Sequence, residues 1–248
     1  MGHAGMSTLL RAELLKLRTT RTFFALVAAA LLLSLVIVVL IVLLTDNFDK
    51  QRAREIFTSD FSALFILVLG IMGLAGEWRH RTITGTILAA PERLRLLVAK
   101  VLAYGAAGAL LSLIVTVAIM AVGSLLLSIE DKTTVGISDL ADVLWRNLLI
   151  AALLGALGVC VGGLVRNQVV AIVAVLIVSF VVEPTLAGVA PEVAKYGPLL
   201  NAPNGIVGIN PFSEDEPLDE VAAVLVMLGW IGVLFALTAQ TLRRRDLV

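Results

Sequence analysis

Glu77, Trp78, Arg79, His80 and Arg81 open a short connection that closes with Pro91, Glu92, Arg93 and Arg95. It lies between two of the most apolar runs of the chain, and residues 76–95 hold four arginines and two glutamates. Groups of this kind can exchange protons, bind an anion or dock a partner. Catalysis finds little to work with: His3 and His80 are the only histidines, and neither belongs to an H-E-x-x-H pair. No span carries a G-x-S-x-G nucleophile turn, and no G-x-x-x-x-G-K-[ST] loop is present to bind ATP. The single cysteine, Cys160, sits in an apolar run and permits neither an intramolecular disulfide nor a metal cluster. We therefore expect a chain that is not an enzyme, holds no metal or cofactor and takes no nucleic acid as partner.

The elements that position this connection follow from composition. The chain has 248 residues, 59% hydrophobic and 15% charged, with a mean hydropathy of +1.01. Soluble domains carry roughly 45–50% apolar and about 25% charged residues, so lipid is the solvent for most of this sequence. A bilayer core needs about 20 helical residues. Uncharged runs occur at Phe23–Leu44, Phe61–Gly76, Val101–Ile129, Asn147–Val165, Asn167–Val182 and Val221–Leu242. The first is too long for the apolar region of a signal peptide and reads as a span. The pattern predicts an all-α polytopic membrane protein with six spans, near 23–44, 57–76, 98–128, 146–165, 168–187 and 220–242, forming a single domain over 1–248. A simple channel is disfavoured, since no filter-like sequence appears.

Basic residues orient the bundle. With the N-terminus in the cytoplasm, 13 of the 19 lysines and arginines fall on the cytoplasmic side. Both termini and the 76–95 connection are then cytoplasmic. Ahead of the first span, Met6, Leu10, Leu14 and Leu17 share one helical face, with Arg11 and Arg18 away from it. This predicts a helix over about 7–21, with Leu10, Leu14, Lys16, Leu17 and Arg18 at the headgroup plane. A basic start that only sets topology is the plainer reading.

Two other segments stay open between readings. Residues 188–219 carry five of the seven prolines and the run Glu214-Asp215-Glu216, so they are short pieces separated by turns. Their apolar middle fits either a partly re-entrant element or an ordinary external loop. Glu183, before Pro184, is either an intramembrane polar site or a residue at the outer interface. An ion-coupled carrier using Glu183 and a membrane scaffold or sensor without transport are the rival functions.

In the charged connection, Ile83, Ile87 and Leu88 share a face, and Pro91-Glu92 suits a helix start. A docking helix and a pair of topology anchors are both consistent with that spacing. The pattern Glu77-x-x-x-Arg81-x-x-x-Gly85-Thr86-x-Leu88-x-x-Pro91-x-Arg93 resembles the first cytoplasmic loop of ABC-2-type transporter permeases. The start Glu13-Leu-Leu-Lys16-Leu-Arg18-Thr-Thr-Arg21 is similar to the N-terminal segment of that family. The resemblance implies the membrane subunit of an ATP-driven exporter, paired with a second permease copy or a sibling. Separate P-loop ATPase subunits would bind the ATP and magnesium. It makes the segment near 77–90 a coupling helix, with Glu77, Trp78, Arg79, Arg81, Thr82, Gly85 and Thr86 docking the ATPase. It also makes the N-terminal helix interfacial and part of 188–219 re-entrant. The expected location is a bacterial cytoplasmic membrane, and the expected cargo is a drug, peptide or lipid. The cargo class rests on the scarcity of buried charge.

Overall fold

The computed structural model describes residues 5–45, 49–58, 60–79, 82, 92–165, 167–210 and 216–244, and among them the only regular elements are helices. Helix α1 covers Met6–Thr19 and α2 Arg21–Leu44, separated by Thr20 in extended backbone. Then come α3 (Lys50–Phe57), α4 (Ser62–Arg79), α5 (Arg93–Ile129) and α6 (Ile137–Val165). Helix α7 (Gln168–Ile177) continues through a π-helical turn, Val178–Val182, into α8 (Glu183–Val189). The short helices α9 (Pro191–Ala194) and α10 (Asn201–Val207) precede α11 (Glu220–Arg244).

Among the described residues six stretches are long and apolar enough to cross a bilayer: Arg21–Leu44, Gln51–Arg79, Arg93–Ile129, Ile137–Val165, Gln168–Val189 and Glu220–Leu242. Three begin earlier than the sequence reading placed them: the second at Gln51, the third at Arg93 and the fourth at Ile137. Helix α6 begins at Ile137 rather than near 146, and Asp142 and Arg146 pair along the surface of its first turns (3.0 Å). The second span is two helices, α3 and α4, with a break at 58–61.

Helices α4 and α6 form the centre. Without a hydrophobic force between helices in lipid, close backbone approach through small residues supplies the packing. Gly155, Gly158 and Gly162 stripe α6 at helical spacing. A methyl group on Gly162 would stand 2.5 Å from the Ile71 carbonyl oxygen, and one on Gly158 would overlap the carbonyl of Leu67. Gly155 meets the Tyr104 carbonyl of α5 in the same way, at 2.5 Å. Around this centre, α2, α7 with α8, and α11 turn large apolar residues outward, among them Leu32, Val36, Val170, Phe180, Leu225 and Val233. Outward-facing leucine and valine on three helices suit a surface solvated by lipid tails.

Candidate functional site

Charge is sparse in this bundle, so the places where it is buried stand out. The first lies where α1, α4 and α5 meet. Lys100 of α5 is fully buried, and its Nζ donates to Glu13 Oε2 (2.9 Å), Glu77 Oε1 (2.8 Å) and the Gly73 carbonyl (3.0 Å). Three donors on one ammonium have three acceptors. Lys16, half-exposed, donates to Glu13 Oε1 (2.8 Å) and Glu77 Oε1 (3.0 Å). Two lysines and two carboxylates thus form a neutral cluster. It ties the N-terminal helix to the last turn of α4, immediately before the charged connection.

Burial works to raise the Glu13 pKa, but the charges and hydrogen bonds of Lys100 and Lys16 outweigh it and hold the carboxyl below its ordinary value. For Lys16, burial works downward, and the bonds and charges of Glu13 and Glu77 raise it overall. A carboxylate with a lowered native pKa contributes stability that is present above its unfolded value, about 4.3, and lost as pH falls through the native one. In detergent, the thermal midpoint of the protein should therefore fall between about pH 5 and pH 3. Glu13→Gln should start lower at pH 7 and show a shallower acid decline. Equal acid slopes for the two proteins would remove Glu13 from this role.

The geometry of α1 also changes one detail of its face. Leu10 and Leu17 turn inward, but Glu13 is buried while Leu14 is 44% exposed, and Arg18 is exposed. The inward stripe is Met6–Leu10–Glu13–Leu17, and Lys100 makes an acidic residue welcome on it. Of the docking candidates, Glu77 faces the cluster, Trp78 packs into the adjacent apolar core, and Arg79 and Thr82 are exposed. Thr82 N donates to the Glu77 carbonyl (3.0 Å). Arg81, Gly85 and Thr86 lie outside the described residues, as does the proposed coupling helix over most of 77–90.

The second site is at the break in the second span. A chain that leaves helix inside a bilayer must find partners for its freed backbone groups. Asn147 Nδ2 donates to the Phe57 carbonyl (3.0 Å), and Phe61 N donates to Ser34 Oγ (3.1 Å), in the middle of α2. Asp60, at the break, accepts from Ser62 N (2.7 Å), Ser112 Oγ (2.6 Å) and Thr116 Oγ1 (2.8 Å). Ser112 and Thr116, one turn apart on α5, and Asn147 on α6 are all buried. The sequence reading missed Asp60, treating it as the margin of an uncharged run. Ser112, Thr116 and Asn147, polar residues in otherwise apolar stretches, were the available signal.

Glu183 belongs to neither cluster. It is buried, and its carboxylate accepts from the backbone N–H groups of Leu199 (2.9 Å), Leu200 (2.8 Å) and Asn201 (2.9 Å). Those are the free donors that open α10, so Glu183 acts as its cap from another helix. Gly197 permits this approach, since a methyl group there would stand 2.6 Å from the carboxyl carbon. At the other end of α10, Arg146 donates to the Ile206 carbonyl (2.8 Å) while pairing with Glu220 (2.9 Å). Among the described residues no group of three histidine, cysteine or acidic side chains is placed to hold a metal ion.

No curated protein matches the chain. Residues 9–182, about seven-tenths of the length, match the family described as ABC-2 family transporter protein. That region holds both buried clusters, the first four apolar stretches and most of the fifth. With six helical stretches apolar enough to cross a membrane among its described residues and this match over most of its length, the chain belongs to the ABC-2 transporter family, the membrane permease components of ABC transporters.

Proposed function

We propose that this permease works as an exporter half, paired with a second copy or a sibling permease and driven by separate P-loop ATPase subunits. The observation that carries this reading is the Lys100 cluster. It binds the N-terminal helix and the base of α4 into one unit at the root of the 77–90 connection. A push delivered to that connection reaches α1, α4 and α5 together. Arg79, Arg81, Thr82, Gly85 and Thr86 would meet the ATPase, Trp78 would seat the segment against the bundle, and Glu77 would join it to the cluster. In this reading both termini are cytoplasmic, the membrane is a bacterial cytoplasmic membrane, and ATP with magnesium stays on the partner. Cargo of drug, peptide or lipid type would pass between the two permease halves.

Affinity purification in mild detergent should bring down a P-loop ATPase in near-stoichiometric amount. Arg79→Ala with Arg81→Ala, which leaves the Lys100 cluster untouched, should lower ATPase recovery by roughly tenfold, the scale of one lost interface anchor. Permease accumulation should stay unchanged. Full recovery of the ATPase with the double variant would sink the docking assignment.

A further inference from the structure

Beside Asp60 the bundle holds a half-open cavity of about 220 Å³, with the outward-facing Phe180 at its rim. Its walls are mostly apolar, with Leu67 and Leu154 among them, and its polar groups come from Thr58, Asp60, Asn147, Ser179 and Asn204. Ser179 Oγ and Asn204 Nδ2 are buried with no hydrogen-bond partner. Ser179 itself is 4% exposed and sits on the π-helical turn. Buried polar atoms are normally satisfied, and one left open beside a cavity points to a group that arrives from elsewhere. The residues Thr58, Val207 and Ile209 also line a more polar space of about 460 Å³, bordered by Gln51, Arg54, Glu55 and Asp139. The inner cavity therefore adjoins a wetter antechamber.

Charge decides the class of occupant. Asp60 has three neutral donors, yet the ion pairs among the described residues join other carboxylates: Glu13, Glu77, Glu92, Asp142, Glu192 and Glu220. Arg54 and Arg146, on the helices to either side, are both engaged by Asp142. A carboxylate in low-dielectric surroundings gains most from a cation that reaches it. The volume is enough for a small organic body, since a dry cavity of about 150 Å³ holds benzene.

We propose that this cavity binds a small organic cation. Its ammonium or amidinium group pairs with Asp60, its apolar body rests on Leu67 and Leu154, and Ser179 and Asn204 meet its remaining polar atoms. The site is internal to one chain and is separate from the cluster at the root of the 77–90 connection. Binding is measured on the chain without an ATPase, so failure here leaves the docking reading standing.

The test uses the full chain in lipid nanodiscs and equilibrium dialysis with labelled benzylamine, set against its neutral isostere benzyl alcohol and against sodium chloride. The wild-type chain should bind benzylamine saturably at one site and favour it over benzyl alcohol by at least about tenfold. Asp60→Asn should erase that preference while leaving benzyl alcohol binding within about twofold. Ser179→Trp, which fills the cavity and keeps the carboxylate, should remove binding of both. An amine preference below about threefold in the wild-type chain overturns the proposal, whether or not Asp60→Asn folds. So does displacement of benzylamine by sodium at equal concentration, or saturable binding that survives Ser179→Trp. Absence of saturable binding up to about 10 mM overturns it as well.

Discussion

Replacing Lys100 by methionine is expected to destabilise the protein by about 3–5 kcal/mol, the usual penalty for removing one member of a buried ion cluster. Methionine matches the lysine stem in length, so little packing is lost. What remains is Glu13 beside Glu77, two carboxylates largely out of water whose remaining cation is the half-exposed Lys16. Like charges at this range, out of water, cannot both stay ionised cheaply. Thermal unfolding in detergent checks the loss, and limited proteolysis should show α1 released first, because Lys100 and Lys16 hold it. A triple variant, Lys100→Met with Glu13→Gln and Glu77→Gln, should regain most of the loss, as a neutral replacement of a buried ion cluster often does. If the single variant unfolds at the wild-type temperature, the cluster contributes nothing to holding α1.

Gly158→Val is the second large effect. A small side chain added to a well-packed interior costs about 1–3 kcal/mol when neighbours can yield. Here the obstacle is the Leu67 backbone, one helix pressed on another, and it cannot rotate aside. The expected cost is at or above the top of that range, about 3 kcal/mol or more, with α4 and α6 forced apart. Gly229→Val on α11, where an added methyl meets nothing within 4 Å, is the matched control and should stay within about 0.5 kcal/mol of wild type. Folded yield after detergent extraction and the thermal midpoint report both. Equal behaviour of the two variants would mean that the α4–α6 contact is looser than these distances say.

The six spans were legible because long uncharged runs have few other uses, and Gly158 and Gly162, four apart in one such run, carry the small-residue spacing that permits close helix contact. The break at 58–61 was not. Arg52, Arg54 and Glu55 mark α3 as an exposed segment by composition, and only tertiary contact turns Ala53, Ile56 and Phe57 into the core against Val38, Ile119 and Val143. The charge cluster was hidden for a related reason. Lys100 reads as one more basic residue at a span end, and its partners Glu13 and Glu77 stand 87 and 23 positions away. No local period relates residues so distant. Spacing groups Leu14 with Leu10 and Leu17 on one apolar face of α1, and it gives no sign that the neighbouring Glu13 turns into the protein to meet a buried ammonium.

Helix α5 carries both polar sites: Lys100 near one end, and Ser112 with Thr116 beneath Asp60. Its 37 residues amount to about 55 Å of unbroken helix against a hydrocarbon thickness of about 30 Å. Such a rod acts as a ruler. Adding or deleting one residue between Lys100 and Ser112 would turn one site by about 100° relative to the other and slide it by about 1.5 Å. Residues on the lipid side of that interval are free to drift among apolar types, while their number is not. The helix therefore fixes a phase between its two ends, and that phase is a property of chain length that no single side chain holds.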